Sequence, residues 1–164
     1  MKWKTDIQKA IKRPKTMKIR VDRLINRILS TPEVNLHPDY QRPLSWDDDD
    51  YSTFVEHWME GGNTGHFFFN INQATGMQEL VDGQHRLHAL MQFLRGMLPV
   101  YDGVLFTDIE DREVMLKSCK IKVGVNHLNR CDTLRWYLQL NFHDKPHSEE
   151  DILKVRNMMR EEQC

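Results

Sequence analysis

Apolar residues in KIRVDRLINRIL fall at Ile19, Leu24, Ile25, Ile28 and Leu29. That spacing of three and four gives a helix one buried stripe and predicts a helix over about Val21–Leu29. TPEVNLHPDYQRPLSW then carries three prolines, each lacking an N–H and holding its predecessor extended, so it reads as loop. In DDDDYSTFVEHWMEGG the acids fill a first helical turn, Phe54, Val55, Trp58 and Met59 form the stripe, and Gly61–Gly62 stop the helix. HFFFNI and MQELV flank the turn signal NQATG and predict a hairpin. Leu87, Leu90, Met91 and Leu94 share one face of a helix ending at Gly96, and KIKVGVN reads as a buried strand. Helices around Thr133–Asn141 and Ser148–Arg160 close the chain; in the second, Ser148 caps and Asp151 returns the bond. Strands and helices mix without strict alternation. The expected fold class is α+β, a small mixed sheet packed with helices.

Composition changes this picture in two places. The 164 residues, 40% hydrophobic and 29% charged, suit one compact domain, and the formal net charge of -1 gives no global bias toward nucleic acid. The charge is uneven, however. Met1 to Arg27 holds ten Lys or Arg against Asp6 and Asp22. A basic arm over residues 1–18 ahead of a single domain over 19–164 is therefore expected, with Lys12, Arg13, Lys15 and Lys18 as candidate DNA contacts. The alternative is a solvated helix face or a frayed terminus. No apolar run is long enough to span a bilayer and no signal-peptide core is present, so no membrane partner is expected. Cys119, Cys131 and Cys164 lack CxxC spacing, which fits a reducing cytoplasm and predicts no disulfide framework.

The candidate chemistry sits in ELVDGQHRLHAL, where a strand hands over to a helix. A helix begins with unpaired N–H groups and partial positive charge. Asp82 there reads as a cap and Gly83 as the tight turn, but Arg86 opposes the dipole unless an anion is expected. Glycine for close backbone approach and arginine for bidentate contact make a phosphate seat. A second cluster, PDYQRPLSW, packs Tyr40, Gln41, Arg42 and Trp46 into a proline-stiffened segment suited to stacking on a base or bonding a phosphate. The competing reading makes Tyr40 and Trp46 core anchors and pairs Arg42 with Asp47–Asp50.

PDYQRPLSW followed some forty residues later by LVDGQHRLHAL resembles the DGQQR-motif family, the N-terminal domain of GmrSD-type modification-dependent restriction enzymes, within the wider ParB/sulfiredoxin-like fold. WYLQLNFHDKPHSEEDI is similar to a third family segment, with Asn141 as the shared asparagine. The resemblance runs from about Leu24 to Lys154. It implies a nucleotide-binding, often nucleotide-hydrolysing module working with a nuclease on foreign DNA. Asp82, Gln84 and Arg86 would be its catalytic positions, and Tyr40, Gln41, Arg42, Trp46, Gly83, His85 and Asn141 its nucleotide contacts. Magnesium would arrive with a nucleoside triphosphate and take Asp82 as a ligand. His85 departs from the family, which has a second glutamine there; this touches hydrolysis more than binding. The chain also ends at Cys164 with no nuclease motif after the third segment, so the bare motif domain is expected.

Two other function classes stand beside this one. One is a ParB-like nuclease or DNA-binding protein that works through its basic arm. The other is a non-catalytic, phage-encoded adaptor or decoy that occupies a host or phage protein. The pairs His85/His88 and His143/His147 lack further ligands for a protein-held metal, a sulfiredoxin-type cysteine is missing where Gln84 stands, and no Walker loop occurs.

Overall fold

The protein is described by a computed structural model covering residues 13–31, 33–141 and 148–164. Its elements in chain order are β1 (Lys15–Ile19), α1 (Val21–Ser30), β2 (Val34–Asn35), α2 (Asp48–Met59), β3 (His66–Ile71), β4 (Gln78–Asp82), α3 (Gln84–Leu94), α4 (Arg112–Ser118), β5 (Ile121–Asn126), α5 (Arg130–Leu140) and α6 (Glu149–Glu161). The strands form one mixed sheet in the order β1-β5-β3-β4-β2. Pairs β1/β5 and β3/β4 are antiparallel, whereas β3/β5 and β2/β4 are parallel. The fold is α+β, as the mixed pattern of elements implies.

The hairpin forms where NQATG predicts it. The Asn72 side-chain oxygen accepts from the N–H groups of Ala74 (2.9 Å) and Thr75 (3.1 Å), and Gly76 closes the turn at φ +71°. Helix α2 starts as its acids suggest: Asp47 accepts from the Asp50 N–H at 2.8 Å, and the Asp50 carboxylate returns the bond. These acids are thus spent on the helix start, and among the described residues none of them pairs with Arg42.

Strand alternation sends side chains to two faces, and each face has its own core. On one face Phe67, Phe69, Leu80, Ile121 and Val123 pack beneath buried residues of α1, α2, α3 and α4. Val21, Leu24, Ile25 and Ile28 of α1 are buried as the stripe predicts. The stripes of α2 and α3 are rotated slightly from expectation. Tyr51 replaces Phe54 as a buried α2 residue, and Ala89 and Phe93 of α3 are buried while Met91 and Leu94 only border the core. Burying one such side chain contributes about 1.5–3 kcal/mol. On the opposite face Val81 packs with Leu128, Leu134, Trp136, Tyr137, Val155 and Tyr40. That face is laced with polar bonds. Buried Asn70 donates to Thr133 Oγ1 (2.9 Å) and the Leu128 carbonyl (3.2 Å), and accepts from the Leu128 N–H (2.8 Å).

Three features depart from the sequence reading. Residues 15–18, expected in an arm, belong to β1, an edge strand exposed except at Ile19 and held by its ladder to β5. Helix α4 was not anticipated; Arg20 ties it in through Asp22 (2.7 Å) and Glu113 (2.9 Å). The expectation of no disulfide is corrected. Helix α6 returns antiparallel along α5, so Cys164 reaches Cys131 with Cα atoms 5.6 Å apart, and the two form a disulfide. A 33-residue separation hides that proximity from any spacing rule. Among the described residues no helix is long and apolar enough to cross a membrane.

Candidate functional site

Strand β4 ends at Asp82, and Gly83 turns the chain into α3 at φ +102°. A Cβ there would sit 3.0 Å from the Phe67 ring and 3.5 Å from Arg86 Nη2, so both backbone conformation and space call for glycine. Gly83 is the N-cap and offers no side chain, so α3 starts uncapped, unlike α2, α5 and α6. The first helical bond is Leu87 N–H to the Gly83 carbonyl (2.8 Å). The N–H groups ahead of it lack an intrahelical partner.

The N-cap position falls to Gly83 rather than to Asp82, whose carboxylate pairs with Arg86 at 3.1 Å, one helical turn on. Arg86 also donates to the Thr64 carbonyl and lies 5.0 Å over the Phe67 ring. Both side chains remain partly exposed, at 18% for Arg86 and 21% for Asp82. Arg86 is therefore a braced cation rather than a free one.

The PDYQRPLSW segment docks against this junction. Gln41 donates to the carbonyls of Leu80 (3.0 Å) and Val81 (2.7 Å), pinning the segment to β4. Gln84, 7% exposed, donates to the Arg42 carbonyl at 2.6 Å. Its Oε1 is buried and has no partner among the described residues. The Arg42 guanidinium is half-buried and lies by the Tyr137 hydroxyl. Burial pushes the Tyr137 phenol up to about 12, with Asp151 and Asp82 adding to the rise and Arg42 opposing it. Tyr137 and Asp151, from α5 and α6, thus join the same locale.

His85 links the two motifs. Its Nε2 accepts the Ser45 N–H at 2.9 Å, which requires an unprotonated Nε2, and its ring stacks on Trp46 at 5.2 Å. Burial lowers its pKa below the ordinary imidazole value, and the nearby charges of Arg42, His88 and Arg86 lower it further. Arg42 and Arg86, 44 positions apart in sequence (86 minus 42), therefore act on the same imidazole.

The remaining expected residues fall as follows. Tyr40 is 1% exposed, packed 4.9 Å from the Tyr137 ring, so it anchors the segment and has no face to offer a base. Trp46 is half-buried against His85, Tyr51 and Phe54. Asn141 caps α5 by donating to the Tyr137 carbonyl at 2.7 Å, and no described contact carries it to the junction. Lys12, His143 and His147 lie outside the described residues. Arg13 is exposed, while Lys15 and Lys18 face opposite sides of the sheet: Lys15 borders a hollow of about 270 Å³ beneath α1 with Met17 and Ile19, and Lys18 points the other way. Sequence reasoning missed Thr64, Phe67, Ser45, Tyr137 and Asp151. Tyr137 lies inside the WYLQLN segment, but nothing local places it beside Arg42.

The family described as GmrSD restriction endonuclease, N-terminal domain, matches residues 22–163. The chain belongs to this family. It contains both motif segments and the α5–α6 pair, so the junction described above lies wholly within the GmrSD N-terminal domain match. Among solved structures the chain is similar to the C-terminally truncated chromosome-partitioning protein ParB from Caulobacter crescentus, complexed with CTP-gamma-S. The TM-score is 0.46 at 12% identity, over 91% of this chain and 65% of that one. The chain thus spans less than two thirds of the ParB chain, and the likeness is one of fold alone. No curated protein matches this chain.

Proposed function

We propose that the β4–α3 junction binds the phosphate groups of a nucleoside triphosphate, as the nucleotide module of a restriction system acting on or near DNA. One observation carries this reading. The start of α3 opens from a glycine turn without a side-chain cap, with Arg86 in its first turn and the Arg42 backbone held against it by Gln84. Such an end supplies backbone donors and positive potential, and two arginines supply the counter-charge. Half-buried Trp46 is the aromatic residue of the motif that remains for a base. Tyr40 is withdrawn from that role by its burial.

Gln84 fits a positioning role better than a water-orienting one, since its amide holds the Arg42 backbone from a buried site. Binding is therefore the proposed role of the junction, and phosphate release measured beside it decides hydrolysis. Magnesium finds no protein cage: among the described residues no three His, Cys, Asp or Glu converge, and the Asp82 carboxylate already engages Arg86. A cation would ride on the phosphates themselves.

Calorimetry of the full chain with the four nucleoside triphosphates, with and without magnesium, tests this directly. Arg42→Ala is the decisive variant, because Gln84 bonds the Arg42 carbonyl and that bond survives side-chain removal. Arg42→Ala should weaken binding roughly tenfold or more, the worth of a charge-assisted contact. Arg86→Ala should do the same at some cost in stability, since its ion pair with Asp82 and its bond to the Thr64 carbonyl are lost. Unchanged affinity in Arg42→Ala, or no nucleotide bound by the unmodified chain, defeats the assignment.

A further inference from the structure

Ladder register brings together three basic side chains that lie far apart in sequence. Lys18 of β1 is directly opposite Lys122 of β5, and Lys122 is directly opposite His66 of β3. Directly opposed residues share a face, so the three form one row across three strands, stepping about 5 Å per strand. Like charges set opposite each other in a ladder destabilise it. Here two lysines are so placed, and among the described residues neither they nor His66 has an ion-pair partner. Lys18 is exposed, and Lys122 and His66 are half-buried.

The neighbouring row on this face is Thr16, Gly124 and Phe68, and a register shift between Phe68 and Phe69 interrupts it before β4. The Phe68 ring covers Gly124, the His66 ring stacks on it at 5.2 Å and 4°, and Trp136 backs it at 5.3 Å. Pro14 also lies against Gly124 on this face. At its other end the row reaches His66, next in the chain to Gly65, where an added Cβ would stand 2.8 Å from Arg86 Nη1. A basic row with rings beside it therefore runs inward from the sheet edge to His66.

We infer that this strip, Lys18–Lys122–His66, holds the phosphate backbone of a nucleic-acid strand. The row supplies two flexible ammonium groups and an imidazole N–H at successive positions, which suits a chain of phosphates better than one compact anion. The His66–Phe68 pair gives an unpaired base a ring to lie against. The site is distinct from the triphosphate seat and stands without it, because it draws on neither Arg42 nor Arg86 for its charge.

The test is fluorescence polarisation of labelled oligonucleotides against the full chain between 50 and 200 mM salt, in single-stranded DNA, duplex DNA and RNA arms that identify the strand type. Each lost phosphate contact removes about 0.9 from the slope of log K against log salt on duplex, and about 0.7 on single strands. Lys18→Ala with Lys122→Ala should therefore lower the duplex slope by about 2, and Lys18→Glu with Lys122→Glu should abolish binding. His66→Ala should weaken the single-stranded arms more than the duplex arm. Lys117→Ala with Lys154→Ala, on exposed turns of α4 and α6, should change nothing. Circular dichroism of each variant establishes that it folds, and a variant that fails is replaced by Lys122→Gln, expected to lower the slope by about half as much as the double alanine variant. Unaltered slope and affinity in the folded double variant, an equal loss in the α4/α6 variant, or equal retention of polyglutamate and of the oligonucleotides would overturn the inference.

Discussion

The two faces of the sheet are built by different rules. Beneath α1 to α4 the contacts are apolar almost throughout, from Val21 and Val55 to Phe67, Leu90 and Phe93. Beneath α5 and α6 the packing is threaded with polar groups: Asn70, Thr133, the Leu128 backbone and the Tyr137 phenol. The first face needs only volume and hydrophobicity, which tolerate exchange among similar side chains. The second needs each donor to meet its acceptor, because a buried unpaired group costs about 1–3 kcal/mol. Asp82 and the α3 start lie where the two regimes meet. Arg86 reaches them over Phe67 of the apolar face, and Arg42 reaches them by Tyr137 of the polar one. The candidate site is thus held by a rigid core on one side and a specific polar frame on the other.

This contrast can be broken most forcefully from the apolar face. Phe93→Ala, at a fully buried α3 position against Trp58 and Phe106, should cost about 3–5 kcal/mol in urea unfolding. A loss below about 1 kcal/mol would show that this face is not the close-packed core described. Asn70→Ala on the other face should cost less, about 2–3 kcal/mol, by stranding the Leu128 N–H and carbonyl. Asn70→Asp separates shape from donor count: it keeps the acceptor for Leu128 N–H and should fail to recover stability, since both donated bonds are lost.

The smallest effect sharpens the boundary itself. His85 has a lowered folded pKa, so the unfolded chain takes up its proton first as pH falls. Its contribution is full above the ordinary imidazole range, near pH 6.5, and is lost as pH drops through the lowered folded value. Protonation turns Nε2 from acceptor to donor against the Ser45 N–H. Thermal melts from pH 8 to 5 should show a modest decline below about pH 6.5, with Trp46 fluorescence changing over the same window. His85→Gln should flatten that acid limb. A limb of unchanged steepness in His85→Gln would assign the decline to other groups.

How far the site was legible in the sequence follows from which of its interactions are local. Gly83, Asp82 and Arg86 lie within one turn of each other, so a glycine turn and an out-of-place arginine were visible in five letters. The cap position expected at Asp82 falls one residue later, at Gly83, and the Asp82 carboxylate engages Arg86 one turn on. The family resemblance implies Tyr40 and Gln41 as nucleotide contacts, and the competing reading makes Tyr40 a core anchor. Their placement depends on how the proline segment crosses β4, and there Gln41 holds strand carbonyls and Tyr40 fills the core.

Periodicity, capping residues and turn residues act over a few positions, and from them the sequence by itself determined α1, α2, α3, α5, α6, the β3–β4 hairpin, the mixed α+β character and the motifs of the family. Tertiary structure alone decided that KTMKI pairs as a strand, that Cys164 meets Cys131, that Lys15 and Lys18 part to opposite faces, and that Tyr137 stands beside Arg42. The reason is physical. A helix satisfies its own backbone within four residues, whereas an edge strand, a disulfide and a row of opposed side chains exist only when distant segments arrive in register.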